Sequence, residues 1–439
     1  MVDVTHLEAE LARAPSRRRC GQVAAAGDGS ILVTGLGAAA RLGDRILLAE
    51  RPDAQGPGGE IVGLTAEGAR AMVLGAGAPV ALGDPVWLAP EEPPRPAASW
   101  LGRVVDAYGA PLDGRPLTEG KVAAPIRRAP PPAATRGGLG PRLRTGLSVF
   151  DTILPLARGQ RIGVFAGSGV GKSRLLAALA RGVEADVVVF GLIGERGREL
   201  NEFIHEGLGP EGLRRAVLVV ATSDESALAR RRAGWTATAV AEHFRDEGKH
   251  VLLILDSITR FAEAHREIAL TAGETPSLRA FPPSTANMIA AMAERAGPAG
   301  RRSADGAITA IYSVLVAGSD MDEPVADITR GVLDGHVVLD RSIAERGRFP
   351  AIDVGRSVSR ALPAAASQGE NETILEVRRL LGAYEKAEPM IQTGLYQPGA
   401  DALLDRAVKL WPALDAFVSE PSPKGDGFAR LRAILAQGS

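Results

Sequence analysis

A chain of 439 residues with a formal net charge of −1 and 23% charged side chains has no bulk electrostatic attraction to nucleic acid or to an anionic membrane. Its single cysteine, Cys20, excludes an internal disulfide and a multi-cysteine metal site, and no apolar run approaches the ~20 residues of a membrane-spanning helix. We therefore expect a soluble, cytoplasmic α/β protein, since the 45% hydrophobic content comes mainly from aliphatic side chains.

The first predicted element is a short amphipathic helix in residues 1–20. Val4, Leu7 and Leu11 are spaced three and four residues apart among charged neighbours, and Pro15 ends the pattern. A helix of this length is not stable alone, so we interpret it as a contact for a partner protein. A frayed terminus is an equally good interpretation of the same residues.

Residues 21–95 predict a small β-barrel. Short β-branched runs such as Ile31–Thr34 alternate with turns of Gly and Asp, and the turn Leu-Gly-Asp occurs twice, at Leu42–Asp44 and Leu82–Asp84. The segment does not combine stacked aromatic side chains with basic ones, so we do not expect it to bind an oligonucleotide.

Two proline-rich stretches, 91–99 and 127–142, are typical of linkers. Apolar strands then alternate with helical stretches, which predicts a parallel sheet with helical crossovers in a domain at 96–365. The apolar residues of 366–439 follow helical spacing. The predicted fold class is thus α/β, with an N-terminal small β-barrel, a central parallel-sheet domain and a C-terminal helical domain.

The central domain contains a phosphate-binding loop. A short strand, Ile162–Phe165, runs into AGSGVGKS and then into a Leu- and Ala-rich helix, which is the strand–loop–helix context of a P-loop. We expect the following loop residues to bind phosphate: Ala166, Gly167, Ser168, Gly169, Val170, Gly171, Lys172 and Ser173. Lys172 is expected to reach the β- and γ-phosphates, and Ser173 to ligate Mg²⁺. Ala166 replaces the usual first glycine, which is tolerable at a strand end because no positive φ is needed there.

Two further apolar strands are followed by acidic residues. LLILD ends in Asp256, an expected Mg²⁺ anchor acting directly or through water, and a second strand leads to Glu195 and Arg196. Carboxyl ends of parallel strands converge on one crevice, so Lys172, Glu195 and Asp256 are expected to be neighbours. Glu195 is the candidate to orient the attacking water, and Arg196 to stabilise γ-phosphate charge. A surface ion pair in a polar loop is an equally good interpretation of Glu195 and Arg196.

Four segments resemble the catalytic-type subunits of rotary ATP synthases and their secretion relatives. They are GSGVGKS, GERGRE, LLILDSITRFAEAHREI and PAIDVGRSVSR, the last of which is similar to the family's signature segment. The resemblance covers about residues 20–415 and implies a barrel, a RecA-like P-loop ATPase domain and a helical end. The stretches 222–234, 257–274 and 281–288 are most similar to flagellar export ATPases, with those of injectisome secretion systems very close behind.

The resemblance implies a role for each residue of the phosphate site. Lys172 and Ser173 would bind the phosphates and Mg²⁺, and Glu195 would be the catalytic carboxylate. Arg196 would contact the γ-phosphate, and Asp256 would be the strand-end acid of the metal site. The cofactors implied are therefore ATP and Mg²⁺.

Three more roles are implied nearer the C-terminus. Arg360, which spacing alone does not single out, matches the arginine finger supplied across a subunit interface. Phe349 stands where the family usually places an adenine-stacking Tyr, and stacking requires only the ring. Tyr396 is the expected second adenine wall. Rotary synthases divide the catalytic Glu and the finger Arg between two chain types, whereas this chain has both Glu195 and Arg360, so we expect a homohexamer with a complete site at every interface.

The function implied is an ATPase motor of flagellar protein export, peripherally associated with the inner face of the cytoplasmic membrane. The partners implied are a stator-like regulatory protein bound by residues 1–20, a central stalk-like protein, the membrane export gate, and export substrates with their chaperones, with no nucleic acid. Three alternatives stay open: an injectisome ATPase, a hexameric RNA translocase of the terminator type, and a non-catalytic nucleotide-binding ring subunit. The second would need an RNA-reading module, and intact Lys172, Glu195 and Asp256 argue against the third.

Overall fold

The computed structural model describes residues 19–27, 29–54, 56–75, 79–300, 305–316, 321–422 and 427–438. The predicted N-terminal helix lies outside these described residues. The chain forms two compact units. One contains the chain up to Glu92 together with 225–229 and 263–284, and the other contains the remainder.

The first unit is built on a closed antiparallel barrel. In chain order its strands are β1 (Cys20–Gly27), β2 (Ser30–Thr34), β3 (Arg45–Leu48), β4 (Gly58–Leu64), β5 (Ala69–Val73) and β6 (Pro85–Ala89). Around the barrel they follow the order β1-β2-β5-β4-β3-β6, and β6 pairs with β1. Alternate residues point inward, so that Val23, Ile31 and Val33 belong to a core from which water is excluded. The predicted barrel is confirmed.

The second unit contains a mostly parallel sheet. Its strands are β7 (Arg103–Asp106), β8 (Arg161–Ala166), β9 (Val187–Glu195), β10 (Ala216–Thr222), β11 (His250–Asp256), β12 (Gly297–Pro298), β13 (Ala307–Leu315), β14 (Gly335–Leu339) and β15 (Ile352–Ser359). They lie in the order β15-β14-β8-β13-β11-β9-β10-β7, and β12 pairs with β13. Every neighbouring pair in this order is parallel except β14 with β15. The central strands are buried on both faces, which is why the sequence shows them as continuous apolar runs.

Helices connect these strands. They are α1 (Ser148–Asp151), α2 (Lys172–Gly182), α3 (Gly197–Glu202), α4 (Gly209–Arg214), α5 (Ala227–Asp246), α6 (Ile258–Thr271), α7 (Ser284–Ala293), α8 (Pro324–Val332) and α9 (Arg341–Glu345). A π-helical turn, Phe203–Leu208, joins α3 to α4. Only the loop 167–171 separates β8 from α2, so the predicted strand–loop–helix unit is confirmed.

The C-terminal region consists of the helices α10 (Gln368–Gln392), α11 (Ala402–Ser419) and α12 (Gly427–Ala436). Ser367 and Glu370 form a capping box at the start of α10, and the Asp401 carboxylate accepts from the first N–H groups of α11. Tyr384 stacks on Trp411 with 4.5 Å between ring centroids, which joins α10 to α11. The helical end is confirmed, and the proposed domain boundaries stay predictions. None of the helices in the described ranges is long and apolar enough to cross a bilayer.

Candidate nucleotide site

The loop between β8 and α2 has the geometry of an anion-binding turn. Gly169 and Gly171 have φ values of 77° and 86°, which residues with a Cβ rarely adopt. A Cβ on Gly171 would also lie 3.1 Å from a carbon of the Phe349 ring. The helix α2 begins at Lys172, which directs its unpaired N–H groups and the positive end of its dipole at the loop.

Ala166 is the last residue of β8 and is 1% exposed. Its carbonyl accepts from the N–H of Val316 at 3.0 Å, so it takes part in the sheet, and it is not among the residues with positive φ. A methyl group in extended backbone costs no strain. Ala166 therefore needs no positive φ, as expected, and its role in binding phosphate stays a prediction.

Lys172, Glu195 and Asp256 meet at the carboxyl edge of the sheet. The adjacent parallel strands β9 and β11 end in Glu195 and Asp256, respectively. Lys172 Nζ lies 3.4 Å from Glu195 Oε1 and donates to Asp256 Oδ1. Ser313 Oγ donates to the same Asp256 oxygen at 2.5 Å. The predicted convergence of the three charged side chains is therefore present.

Burial and charge together set the protonation of this group. Burial lowers the pKa of Lys172, but the charges of Asp256 and Glu195 outweigh it, and the pKa is raised above that of free lysine. Burial raises the pKa of the Glu195 carboxyl, and the Asp256 carboxylate adds to this against the opposing charge of Lys172. With all three groups ionised, two carboxylates and one ammonium leave a net negative charge that a cation would balance.

A cleft of about 880 Å³ lies above the loop. Most of the predicted phosphate-binding residues line it, whereas Ala166 and Val170 are buried at 1% and 2% exposure. Four arginines contribute to the lining: Arg174, Arg196, Arg230 and Arg260. The cleft thus combines inward N–H groups with cationic side chains, which suits a polyanionic ligand such as a nucleoside triphosphate.

A separate small void of about 20 Å³ has Ser173, Glu195 and Asp256 in its lining. This volume accommodates one water molecule or one ion. The polar groups that face it include a hydroxyl and two carboxylates, which are the oxygen donors that Mg²⁺ prefers. The residues therefore fit the metal, which the Ser173 hydroxyl and the Asp256 carboxylate would hold.

The two predicted adenine walls lie in different surroundings. Phe349 is 42% exposed, lines the cleft and packs against Gly171. Tyr396 is not among the described residues that line the cleft, and its hydroxyl donates to Asp405 Oδ1 at 2.6 Å. The structure thus brings Phe349 but not Tyr396 to the phosphate loop, and both adenine roles stay predictions.

Arg360 lies at the amino-terminal ends of the parallel strands, whereas the phosphate loop lies at their carboxyl ends. It follows β15, whose last residue, Ser359, pairs with Gly335 at the start of β14. Since β14 runs parallel to β8, Arg360 is level with the beginning of β8 and the loop with its end. The five residue steps from Arg161 to Ala166 separate the two edges by about 16 Å at ~3.3 Å per residue. Arg360 is therefore not part of the cleft of its own chain.

Sequence reasoning missed several residues of the site, among them Ser313, Arg230 and Arg260. Ser313 holds Asp256, and Arg230 and Arg260 line the cleft. Arg260 lies four residues after Asp256, in the first turn of α6, so its short distance in sequence from the strand-end acid could have predicted its place in the cleft. Ser313 and Arg230 have no such local signal, because only the packing of β13 and α5 brings them to the site.

Two family models match the chain. Residues 146–359 match the nucleotide-binding domain of the ATP synthase alpha/beta family. Residues 366–437 match the T3SS EscN ATPase C-terminal domain. These matches cover the parallel-sheet region that contains the cleft and the three C-terminal helices.

Curated relatives match over most of their length. The chain is 47% identical over 386 residues to the flagellum-specific ATP synthase of Caulobacter vibrioides, covering 86% of this chain and 87% of that one. It is 42% identical over 397 residues to the type 3 secretion system ATPase of Pseudomonas syringae pv. syringae, covering 86% of each.

Solved structures of the assembled ATPase EscN from the enteropathogenic E. coli type III secretion system share the fold. One matches with a TM-score of 0.87 and 34% identity, covering 94% of this chain and all of that chain (100%). A second, of EscN in complex with its central stalk EscO, matches with a TM-score of 0.81 and 33% identity, covering 95% and 99%.

Proposed function

The chain belongs to the ATP synthase alpha/beta family, among the flagellum-specific and type III secretion ATPases, and we propose that it hydrolyses ATP as the motor of flagellar protein export, at sites shared between neighbouring subunits of a homohexamer. One observation carries the chemistry. Lys172, Glu195 and Asp256 meet beside a glycine loop at the base of a cleft lined by arginines.

Each side chain has a distinct task in this proposal. The loop N–H groups and Lys172 bind the phosphates, and Arg196, whose side chain is 81% exposed, reaches the γ-phosphate oxygens. Glu195 orients the attacking water and accepts its proton. Ser173 and Asp256 would hold Mg²⁺, which would neutralise phosphate charge when bound. Phe349 stacks on the adenine, with Tyr396 as a further candidate wall.

The ring follows from the position of Arg360. This arginine is exposed and lies about 16 Å along the sheet from its own phosphate loop. One chain carries both Glu195 and Arg360, so identical subunits arranged in a closed ring complete one another's sites. The solved EscN structures with similar folds are described as assembled.

The cellular setting is proposed from the same relatives. The ring works in the cytoplasm, at the inner face of the cytoplasmic membrane, beside the export gate. Its partners are a stator-like regulator at residues 1–20, a central stalk-like protein, and export substrates with their chaperones. The central stalk is supported by the EscN–EscO complex.

The meeting of Lys172, Glu195 and Asp256 argues against a non-catalytic ring subunit, which leaves two alternatives. An injectisome ATPase would have the same chemistry, and identity does not separate the two apparatuses, since flagellum-specific relatives at 47% and 40% lie on either side of a type 3 secretion relative at 42%. An RNA translocase would need a stacking platform, but the only aromatic residue between 20 and 89 is Trp87, whose indole donates to Ala49 O at 2.9 Å.

The shared site is tested by mixing two inactive variants before assembly. Lys172→Ala removes the phosphate site, and Arg360→Ala removes the finger, so each ring alone is expected to lose at least ~10³-fold in kcat. In random mixed rings about one quarter of the interfaces pair an intact Lys172 with an intact Arg360, and about a quarter of wild-type activity should return. If the mixture only gave the sum of the separate activities, the shared site would be wrong.

The cellular assignment needs its own test. A deletion strain should lose flagellar filaments and motility, and the wild-type gene but not Lys172→Ala should restore them. Normal motility together with a loss of effector secretion would identify the injectisome alternative.

A further inference from the structure

Arg360 combines a fixed backbone with a free side chain. Its N–H donates to the carbonyl of Asp334 at 3.0 Å. Within the described part of the chain its guanidinium forms no ion pair or hydrogen bond, and the residue is exposed. A long cationic side chain on an anchored backbone is arranged to contact something outside its own subunit.

The backbone around Arg360 is held by Gln160, a fully buried residue (0% exposed) that immediately precedes β8. Its carboxamide nitrogen donates to Asp334 O at 3.0 Å and to Ser359 Oγ at 3.1 Å. Its carboxamide oxygen accepts from Ala157 N at 2.9 Å. One buried side chain therefore holds both the carbonyl that receives the Arg360 N–H and the residue immediately before Arg360.

Neighbouring contacts prevent this anchor from shifting. Ser359 Oγ donates to Pro155 O at 2.5 Å. The Asp334 carboxylate accepts from the backbone N–H and the guanidinium of Arg161, each at 3.0 Å. A Cβ on Gly335 would lie 2.5 Å from Val358 O, so the backbones of β14 and β15 are in close contact at this point.

From these contacts we propose that Gln160 is a positioning residue for Arg360, and that it acts on the catalytic site of the neighbouring subunit rather than on its own. The inference rests on the proposed shared site. A buried amide with both its donor and acceptor groups engaged is costly to leave unsatisfied, so the backbone around Arg360 has one arrangement. Catalysis by an arginine finger depends on that arrangement, since a displacement of about 1 Å can cost ~10²-fold in rate.

A positioning role and a purely structural role of Gln160 differ in which subunit's nucleotide site the substitution impairs. Gln160 immediately precedes β8, the strand that leads into the phosphate loop of the same chain. A structural role would damage that loop and weaken nucleotide binding by the variant subunit. A positioning role would lower kcat, by about 10- to 100-fold, and leave the KM for ATP unchanged.

The test uses Gln160→Met, which keeps an unbranched side chain of similar size and removes both hydrogen-bonding groups. Thr309→Val is the matched control, because Thr309 is 0% exposed at the same end of the parallel strands, and its hydroxyl is hydrogen-bonded to Gly159 N at 2.9 Å and to His250 Nε2 at 2.8 Å rather than to Asp334 or Ser359. Both full-length variants are assembled and assayed for steady-state phosphate release and for nucleotide binding. We expect a loss of kcat in Gln160→Met only.

Mixing with Lys172→Ala then locates the defect. Gln160→Met subunits keep their phosphate loop, and Lys172→Ala subunits keep their Arg360, so co-assembly should return about a quarter of wild-type kcat. If Arg360→Ala regained activity with Lys172→Ala but Gln160→Met did not, the proposal would be overturned while the shared site stood. If Arg360→Ala also failed to regain activity, the shared site and the role of Gln160 would both be wrong.

Discussion

Replacing Glu195 with glutamine removes one charge from the cluster of Lys172, Glu195 and Asp256 and changes the side-chain volume little. Glu195 Oε1 lies 3.4 Å from Lys172 Nζ, which corresponds to a gross attraction of about 5 kcal/mol at an effective dielectric constant of ~20. The cost of burying the two charges offsets much of it. Lys172 keeps its contact with Asp256, so we expect Glu195→Gln to fold, assemble and bind nucleotide nearly as the wild type does.

The expected loss is in kcat. A positioned general base contributes ~10²–10⁴-fold, which is about 3 to 5 kcal/mol of transition-state stabilisation. Steady-state phosphate release at saturating ATP measures kcat, and the binding of a fluorescent nucleotide analogue measures the affinity separately.

Glu202→Gln is the matched control for this measurement. Glu202 ends the helix α3 that follows Glu195, and its side chain is 52% exposed and lies 2.9 Å from Arg198, a surface pair worth about 0–1 kcal/mol. Its kcat should stay within about fivefold of the wild type. An equal loss in the two variants would show that the loss does not come from a base at Glu195, and full activity in Glu195→Gln would exclude a catalytic base at this position.

Three further predictions concern pH, nucleotide recognition and stability. Burial raises the pKa of the Glu195 carboxyl, and in our proposal its ionised form is the base, so kcat/KM should fall as the pH is lowered through that raised pKa. A wild-type pH profile without this decrease on the acidic side would contradict Glu195 as the base. Phe349→Ala should raise the KM for ATP about 5- to 100-fold through lost stacking while Phe349→Tyr changes it little, and equal effects would exclude stacking. Glu242→Gln should destabilise the fold by about 3–5 kcal/mol in denaturant unfolding, because Arg295 and Glu242 are 4% and 1% exposed and the buried arginine would lose its counter-charge. The control Glu247→Gln, at an exposed position, should change the free energy of unfolding by less than about 0.5 kcal/mol, and equal stability of the two variants would refute the burial argument.

Local sequence determined the fold class and the phosphate loop. Three local patterns each express a constraint within a few residues of chain: short β-branched runs between Gly and Asp turns in the barrel, continuous apolar runs in the parallel strands, and the glycines of AGSGVGKS. The sequence also predicted that Ala166 ends a strand and needs no positive φ, which is what the backbone shows. The meeting of Glu195 and Asp256 with Lys172 also followed from a local rule, because parallel strands present their carboxyl ends at one edge.

Only the tertiary structure determined what surrounds these residues. Ser313 and Arg230 reach the site from β13 and α5, and no short-range pattern places them there. Arg360 follows an ordinary polar run in sequence, and strand register alone puts it at the edge away from its own loop. The anchor of Gln160 joins residues separated by 174 and 199 positions, and such contacts arise from the packing of the folded chain. The sequence by itself therefore determined which reactive residue types the loop and the strand ends carry, whereas the fold decided which side chains meet in the cleft and which one, Arg360, lies away from it.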